Sequence, residues 1–235
     1  MNRRQFIELG SLTALAAATP PAIAGAPSLI RLDIPSPRSL RGGWAAYAAV
    51  LASRGWGRDA YATADAWFFH DGGGNWACLR LKQKDQLVLL GHDHEYSETY
   101  FGEAAAYFEE PETDLLAGAP DWWSFNLDPQ PYGEWVGFVY GWNGQAWQRA
   151  AYDADDGFES VGLLDACSVG GTKSLEQFVS DAPGHAAGIS LDEPLRALVD
   201  ADADITDALL EACVPGWDIA AGVAAGRRFL EMDLG

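Results

Sequence analysis

The densest gathering of chemically capable side chains lies between residues 65 and 101, in the text DAWFFHDGGGNWACLRLKQKDQLVLLGHDHEYSETYF. Three of the chain's four histidines fall there, His70, His92 and His94, beside Asp71, Asp93, Glu95 and Glu98. His92 and His94 with Glu98 four residues further on read H-x-H-x-x-x-E. Two imidazoles two apart on a strand and a carboxylate from the following turn suit iron, manganese or zinc, so His92, His94 and Glu98 are the candidate transition-metal ligands. The same stretch offers stacking and charge. Trp67, Phe69 and Trp76, with His92, His94 and Glu95 and the later Trp122 and Trp123, form the candidate ligand-binding set, an aromatic face beside an acidic, histidine-bearing rim.

The H-x-H-x-x-x-E spacing resembles half of the first metal motif of the cupins, which implies a transition-metal centre. Gln86 stands where that family has its leading glycine, Ala105 where it has the trailing one, and no second motif follows His185. Metallo-β-lactamase spacing is absent, because Tyr96-Ser97 replaces the Asp-His it requires. Residues 91–101, GHDHEYSETYF, resemble text in uncharacterised bacterial proteins, a resemblance that implies no function.

Three strands in a row must position these groups. A turn over residues 71–74 pairs His70 with Asn75, and a second at Gln83-Lys84-Asp85 pairs Lys82 with Gln86. That register puts Ala64, Ala66 and Phe68 on one face with Ala77, Leu79, Leu81, Leu87, Leu89 and Gly91. The other face then carries Trp67, Phe69, Trp76, Leu90 and His92, with Asp65 across from Arg80. Alternation sends His92 and His94 to one side and His70 and Asp93 to the other.

Around this meander the spacing predicts a helix over residues 44–52, a second over 100–110 with Phe101, Ala104 and Phe108 as its inward face, and a short one at 113–117. A second hairpin runs from Glu134 to Tyr152 about Asn143-Gly144. Helices follow at 175–179, 194–199 and 218–232, where Gly222 and Gly226 let the last one pack closely, most simply on the sheet. The expected class is α+β: an antiparallel sheet of about five strands, built from the meander and the second hairpin, packed with several helices, the C-terminal third helical. Residues 25–38 read as an extended linker or edge segment and 39–235 as one domain, with a sub-boundary near 126–133.

Asp200, Asp202, Asp204, Thr206 and Glu211 fall on liganding positions of a loop resembling the EF-hand calcium site, but Ile205 occupies the position that needs a positive φ. Asp204 capping a helix explains the run better. No Gly-x-Ser-x-Gly, phosphate loop, dinucleotide fingerprint or Cys-x-x-Cys occurs, so no catalytic motif is identified.

At the N-terminus, Arg3-Arg4-Gln5-Phe6-Ile7, a short apolar run and Ala22-Ile23-Ala24 make a positive n-region, an h-region and a small-x-small cleavage site. The paired arginines resemble the twin-arginine (Tat) signal, which implies the Tat translocase as a partner, passage in the folded state, and a periplasmic or extracellular destination for residues 25–235. Folding in a reducing compartment suits an odd number of cysteines, Cys78, Cys167 and Cys213, as buried thiols. The leader is too short and too rich in proline to span a bilayer. Removing Arg3, Arg4 and Glu8 takes the net charge from −19 to −20. Such a surface repels nucleic acid and anionic lipid, while a basic protein partner, a glycan stacked on tryptophan, or a cation stays open. Three classes remain: a non-catalytic binding protein, as an immunity-type inhibitor of a basic protein would be; a metal-dependent enzyme at His92, His94 and Glu98; and a structural envelope protein. Replacing Arg3-Arg4 by Lys-Lys is expected to stop export; unchanged appearance of the protein outside the cytoplasm would contradict the reading of the leader.

Overall fold

The computed structural model describes residues 28–123, 135–167, 172–185 and 189–234. Arg3, Arg4, Ala22 and Ala24 of the leader and the expected sub-boundary at 126–133 lie outside the described residues. The class is α+β, built on a seven-stranded antiparallel sheet. Its strands are β1 (Ile30–Leu32), β2 (Ala60–Ala62), β3 (Ala66–His70), β4 (Trp76–Gln83), β5 (Gln86–His92), β6 (Phe138–Trp142) and β7 (Trp147–Arg149). They are ordered β1-β7-β6-β5-β4-β3-β2. The five expected strands are β3 to β7. The two additional ones, β1 and β2, are three-residue edge strands, too short to show a period. β1 comes from the segment read as an extended linker or edge segment and pairs with β7 at the edge of the sheet.

One face of the sheet packs on α1 (Pro37–Ser53), whose first turn is set by Ser36: its hydroxyl accepts from the Ser39 amide at 3.2 Å, with Pro37 following at the first helical position. The helix therefore starts earlier than the apolar spacing indicates. It is buried on nearly every side, because α3 (Leu163–Cys167), α4 (Thr172–Val179), α5 (Asp192–Asp200) and α7 (Ile219–Arg227) pack on it away from the sheet, with α6 (Asp207–Cys213) set against α5 and α7. Close crossing demands missing side chains. A Cβ on Gly43 would stand 1.9 Å from the Cys167 carbonyl oxygen, and one on Gly222 2.0 Å from Ser53 Oγ. Gly222 and Gly226 thus pack α7 on α1, while the contact of α7 with the sheet is at edge strand β2. Trp44, inside α1, donates its indole N–H to the Phe68 carbonyl at 2.9 Å and locks helix to sheet.

The strand register after the second turn is as expected, with Leu81 opposite Leu87, Leu79 opposite Leu89 and Trp76 opposite His92, but at the turn Gln83, not Lys82, faces Gln86, because the pairing shifts at a bulge between Leu81 and Gln83. The first turn differs by one residue: His70 faces Trp76, not Asn75. The cause is Asp71. Its Oδ1 accepts from the amides of Gly73 (2.6 Å) and Asn75 (3.0 Å), its Oδ2 from Asn75 Nδ2 (2.9 Å), and its own N–H donates to Asn75 O at 3.1 Å. A side chain closes a loop one residue longer than a tight turn, and the slip exchanges the two faces of β3. Trp67 and Phe69 join Ala77, Leu79 and Leu89 in the helix-side core, while Ala66 and Phe68 turn to the other face with Trp76, Cys78, Val88 and Leu90. Ala66, not Asp65, lies across from Arg80, and the Asp65 carboxylate accepts from Thr63 Oγ1 at 2.7 Å.

That second face is covered by Leu115, Trp123 and Val136, with Phe101, Leu116 and Trp122 packed around them. Within this cover the expected helix over 100–110 shortens to α2 (Glu103–Phe108), bounded by Gly102 and Glu109 at φ 58° and 57°. The segment at 113–117 forms turns without a helix. In the acidic run, Arg41 pairs with Asp202 and Arg227 with Asp204, Ile205 is fully buried, and Thr206 rather than Asp204 caps α6 by accepting from the Leu209 amide. Cys78, Cys167 and Cys213 are free and buried, and burial pushes the Cys78 thiol up to about 12. Among the described residues no helix is long and apolar enough to cross a membrane.

Candidate functional site

Residues 92–99 leave the sheet at the end of β5, and Asp93 decides their path. Its side chain is fully buried. Oδ1 accepts from the amides of Glu95 (2.8 Å) and Tyr96 (2.9 Å), Ser97 Oγ accepts from the Asp93 amide (3.1 Å), and the Ser97 amide donates to Asp93 O (3.1 Å). This is the reciprocal arrangement of a capping box, used here to fold a tight turn. The turn is then sewn to two other segments. Ser97 Oγ donates to Asp156 O (2.9 Å), the Glu98 amide to Asp155 O (2.7 Å), Thr99 Oγ1 to Gly137 O, and the Gly137 amide to Gly91 O (2.8 Å). A Cβ on either Gly137 or Gly157 would meet Ser97 Oγ at 2.4 Å, so both must be glycine for the contact to exist.

Because the turn begins at Asp93, alternation stops there and the metal-motif side chains diverge. His92 is half-buried opposite Trp76. His94 is exposed and reaches back to the first turn, where Asn75 Oδ1 lies 2.9 Å from its Nδ1 and 3.1 Å from its amide. Glu95 and Glu98 are exposed. His70 keeps to its own turn, its Nδ1 accepting from the Gly72 amide at 2.9 Å. Among the described residues no three His, Cys, Asp or Glu side chains gather as ligands for one ion.

The aromatic candidates are placed differently from the expectation as well. Trp67, Phe69, Trp76 and Trp123 are 0–1 % exposed, inside the two cores, and offer no ring face to a ligand. The one-residue slip at Asp71 put Trp67 and Phe69 there; Trp67 packs on Trp44 and Phe229 at 5.6 and 5.2 Å between centroids. Trp122 is half-buried against Trp123. His94 and Glu95 alone of the ligand-binding set stand fully at the surface.

The exposed aromatic cluster lies ten residues further on. Tyr107 is 69 % exposed and Phe108 46 %, at the end of α2 where the helical spacing predicted Phe108 inside. Ala104 and Ala105 face inward instead. Trp135 joins the pair at 4.8 Å from each ring, and Tyr100 packs on Phe108 at 5.5 Å. Glu103, Glu109, Glu110, Glu112 and Asp114 are exposed around them. Between Lys84 and Arg149 the chain has no lysine or arginine and twelve Asp and Glu residues. That gap in basic residues was the signal available in the sequence.

A second buried carboxylate, Asp156, accepts from the hydroxyls of Tyr140 and Tyr152, both at 2.7 Å, and from the Phe158 amide at 3.1 Å. Burial, and then the charge of Asp156, push both phenols well above their ordinary range, so they stay protonated donors. Asp156 and Tyr140 line a cavity of about 500 Å³ with Arg149 and Glu159, but the hydrogen bonds of the triad hold the 153–158 loop that receives Ser97 and Glu98. Comparison with protein-family models, curated proteins and solved structures finds no match.

Burial lowers the pKa of His92 below the ordinary 6.5, against the opposing charge of Asp93. The unfolded chain therefore binds a proton that the folded protein refuses between that lowered value and 6.5. His92 contributes stability in full above that window and loses it as pH falls through it. His92→Leu is expected to narrow the drop in urea midpoint between about pH 7.5 and about pH 5, measured against the unsubstituted protein. An equal drop in both would contradict the assignment.

Proposed function

We propose that the chain is an exported, non-catalytic binding protein that docks a basic protein through the acidic aromatic promontory formed by residues 100–114 and Trp135. The observation that carries this is the cluster of exposed Tyr107 and Phe108 on half-buried Trp135, in a stretch whose exposed charged side chains are Glu103, Glu109, Glu110, Glu112 and Asp114. Contiguous exposed apolar surface is characteristic of interaction sites, and here two neighbouring aromatic side chains stand in water. Ring faces together with carboxylates are the chemistry that holds arginine and lysine: the cation lies over the ring while its hydrogen bonds go to the acid. Glu103 and Tyr107 sit one helical turn apart on α2, the spacing at which one partner side chain reaches both. The uninterrupted negative charge of residues 85–148 steers a basic partner toward this side and away from nucleic acid. The twin-arginine-like leader supports the exported half of the reading.

A metal-dependent enzyme is less favoured, since His92, His94 and Glu98 point into three different surroundings. A glycan stacked on Trp76 or Trp123 is less favoured too, because those rings are enclosed.

Calorimetric titration of residues 25–235 with a nona-arginine peptide tests the proposal. Saturable binding is expected, weakened about tenfold by the double change Tyr107→Ala, Phe108→Ala, which leaves every charge in place. Absence of binding, or binding that ignores the aromatic change and follows net charge alone, would contradict it.

A further inference from the structure

The sheet has two edges, and they are finished differently. Edge strand β2 is packed by α1, α7 and the 3-10 turn at Arg228–Leu230. β1 has no such cover among the described residues and pairs with β7 alone. An outermost strand presents a row of backbone N–H and C=O groups that another strand can complete. Within β1 there is neither proline nor bulge, so its guards are its shortness and the charge of Arg31.

The side chains of this edge alternate. Leu32 and Ile34 pack on the helix-side core and Leu29 on the other, so Ile30 shares the first face, and Arg31 and Asp33 the second. Ile30 is 40 % exposed, and Arg31 and Asp33 are exposed too. Pro35 biases Ile34 toward extended backbone, which carries the strand path to residue 34 and ends it there, since proline has no N–H to donate. Residues 30–34 thus read apolar, basic, apolar, acidic, apolar. Laid antiparallel against itself about Leu32, that string sets Arg31 across from Asp33 twice, and Ile30 across from Ile34 twice.

We infer that a second copy of this chain pairs there, residues 30–34 of one protomer antiparallel to residues 30–34 of the other about a two-fold axis through Leu32. The symmetry leaves few choices. An axis that keeps both helix layers on the same side of the joined sheet must pass through a pair of identical residues, because residues opposite each other share a face. Centred on Arg31 or Asp33, it would face like charges; centred on Leu32, it pairs opposite charges on one face and closes apolar contacts on the other. Two seven-stranded sheets then join into one, and the exposed Ile30 of each is covered. The large negative charge of each copy opposes approach, so the attraction is short-range and holds at about 0.15 M salt, where charges more than about 8 Å apart are screened. This interface is independent of the promontory.

Sedimentation equilibrium of residues 25–235, which contain every described element, tests the inference at about 0.15 M salt. A reversible dimer is expected. Arg31→Asp and Asp33→Arg, each at an exposed position that leaves the melting temperature unchanged, are each expected to weaken it about tenfold. One change adds negative charge and the other removes it, so a loss shared by both does not follow net charge. An equimolar mixture of the two variants is expected to restore the dimer, since every facing pair is then opposite in charge. The promontory variant Tyr107→Ala, Phe108→Ala is expected to stay dimeric. A monomer throughout, a dimer indifferent to both charge changes, variants that stay weak when mixed, or loss of the dimer in the promontory variant would overturn the inference.

Discussion

A carboxylate that is fully buried has to be surrounded by donors, because an ion left without them costs several kcal/mol. Asp93 meets this condition at Oδ1, with two amides from its own turn, while its Oδ2 is buried without a hydrogen-bond partner among the described residues, and the turn so formed ends β5, reverses the chain and delivers Ser97, Glu98 and Thr99 to residues 137 and 155–156. Two glycines, Gly137 and Gly157, exist in contact with that serine at distances no Cβ would allow. From this point the cover of the second sheet face takes its direction, and with it α2, Tyr107 and Phe108. The 153–158 loop, held from its other side by Tyr140 and Tyr152 through Asp156, is the fixed support against which the turn is pressed.

The other side of the sheet depends on a helix built largely of alanine. In α1 the run from Trp44 to Leu51 is buried on all faces, so four helices and the sheet can approach it only because most of its side chains, and the glycines opposite them, are small. Tryptophans fill the remaining volume: Trp44, Trp67 and Trp147 lie in this core, Trp76 and Trp123 in the second. The abundance of tryptophan is thus mostly structural. Where the cover runs out, Tyr107 and Phe108 meet water beside half-buried Trp135, as Trp56 and Tyr96 do singly elsewhere.

The α+β class, the meander, the second hairpin and the C-terminal helices were legible because their periods extend over five or more residues. The strand register after the second turn was legible, although a bulge between Leu81 and Gln83 sets Gln83 rather than Lys82 opposite Gln86. The first turn was not: Asp71 closes it with its side chain, a choice that local spacing does not reveal, and the single-residue slip moved Trp67 and Phe69 from a supposed binding face into the core. The H-x-H-x-x-x-E spacing misled for a related reason, as Asp93, between the two histidines, engages the backbone and breaks the alternation that the motif requires. Phe108 was placed inside by helical spacing, whereas α2 is only six residues long and Ala104 and Ala105 suffice to seat it. The charge pattern was the better guide. Residues 80–84 carry three basic groups and residues 85–148 none, and the promontory lies within that second stretch.

The account rests on residues 92–99 being a structural clasp centred on Asp93. Urea denaturation of Asp93→Ala beside Glu98→Ala, each with and without added zinc, tests it most directly. Loss of the buried acceptor should cost about 2–3 kcal/mol, the exposed Glu98 change should stay within about 0.5 kcal/mol, and zinc should move neither midpoint. A tolerated Asp93→Ala, with a zinc-dependent midpoint that disappears in Glu98→Ala, would contradict the clasp and restore the metal centre.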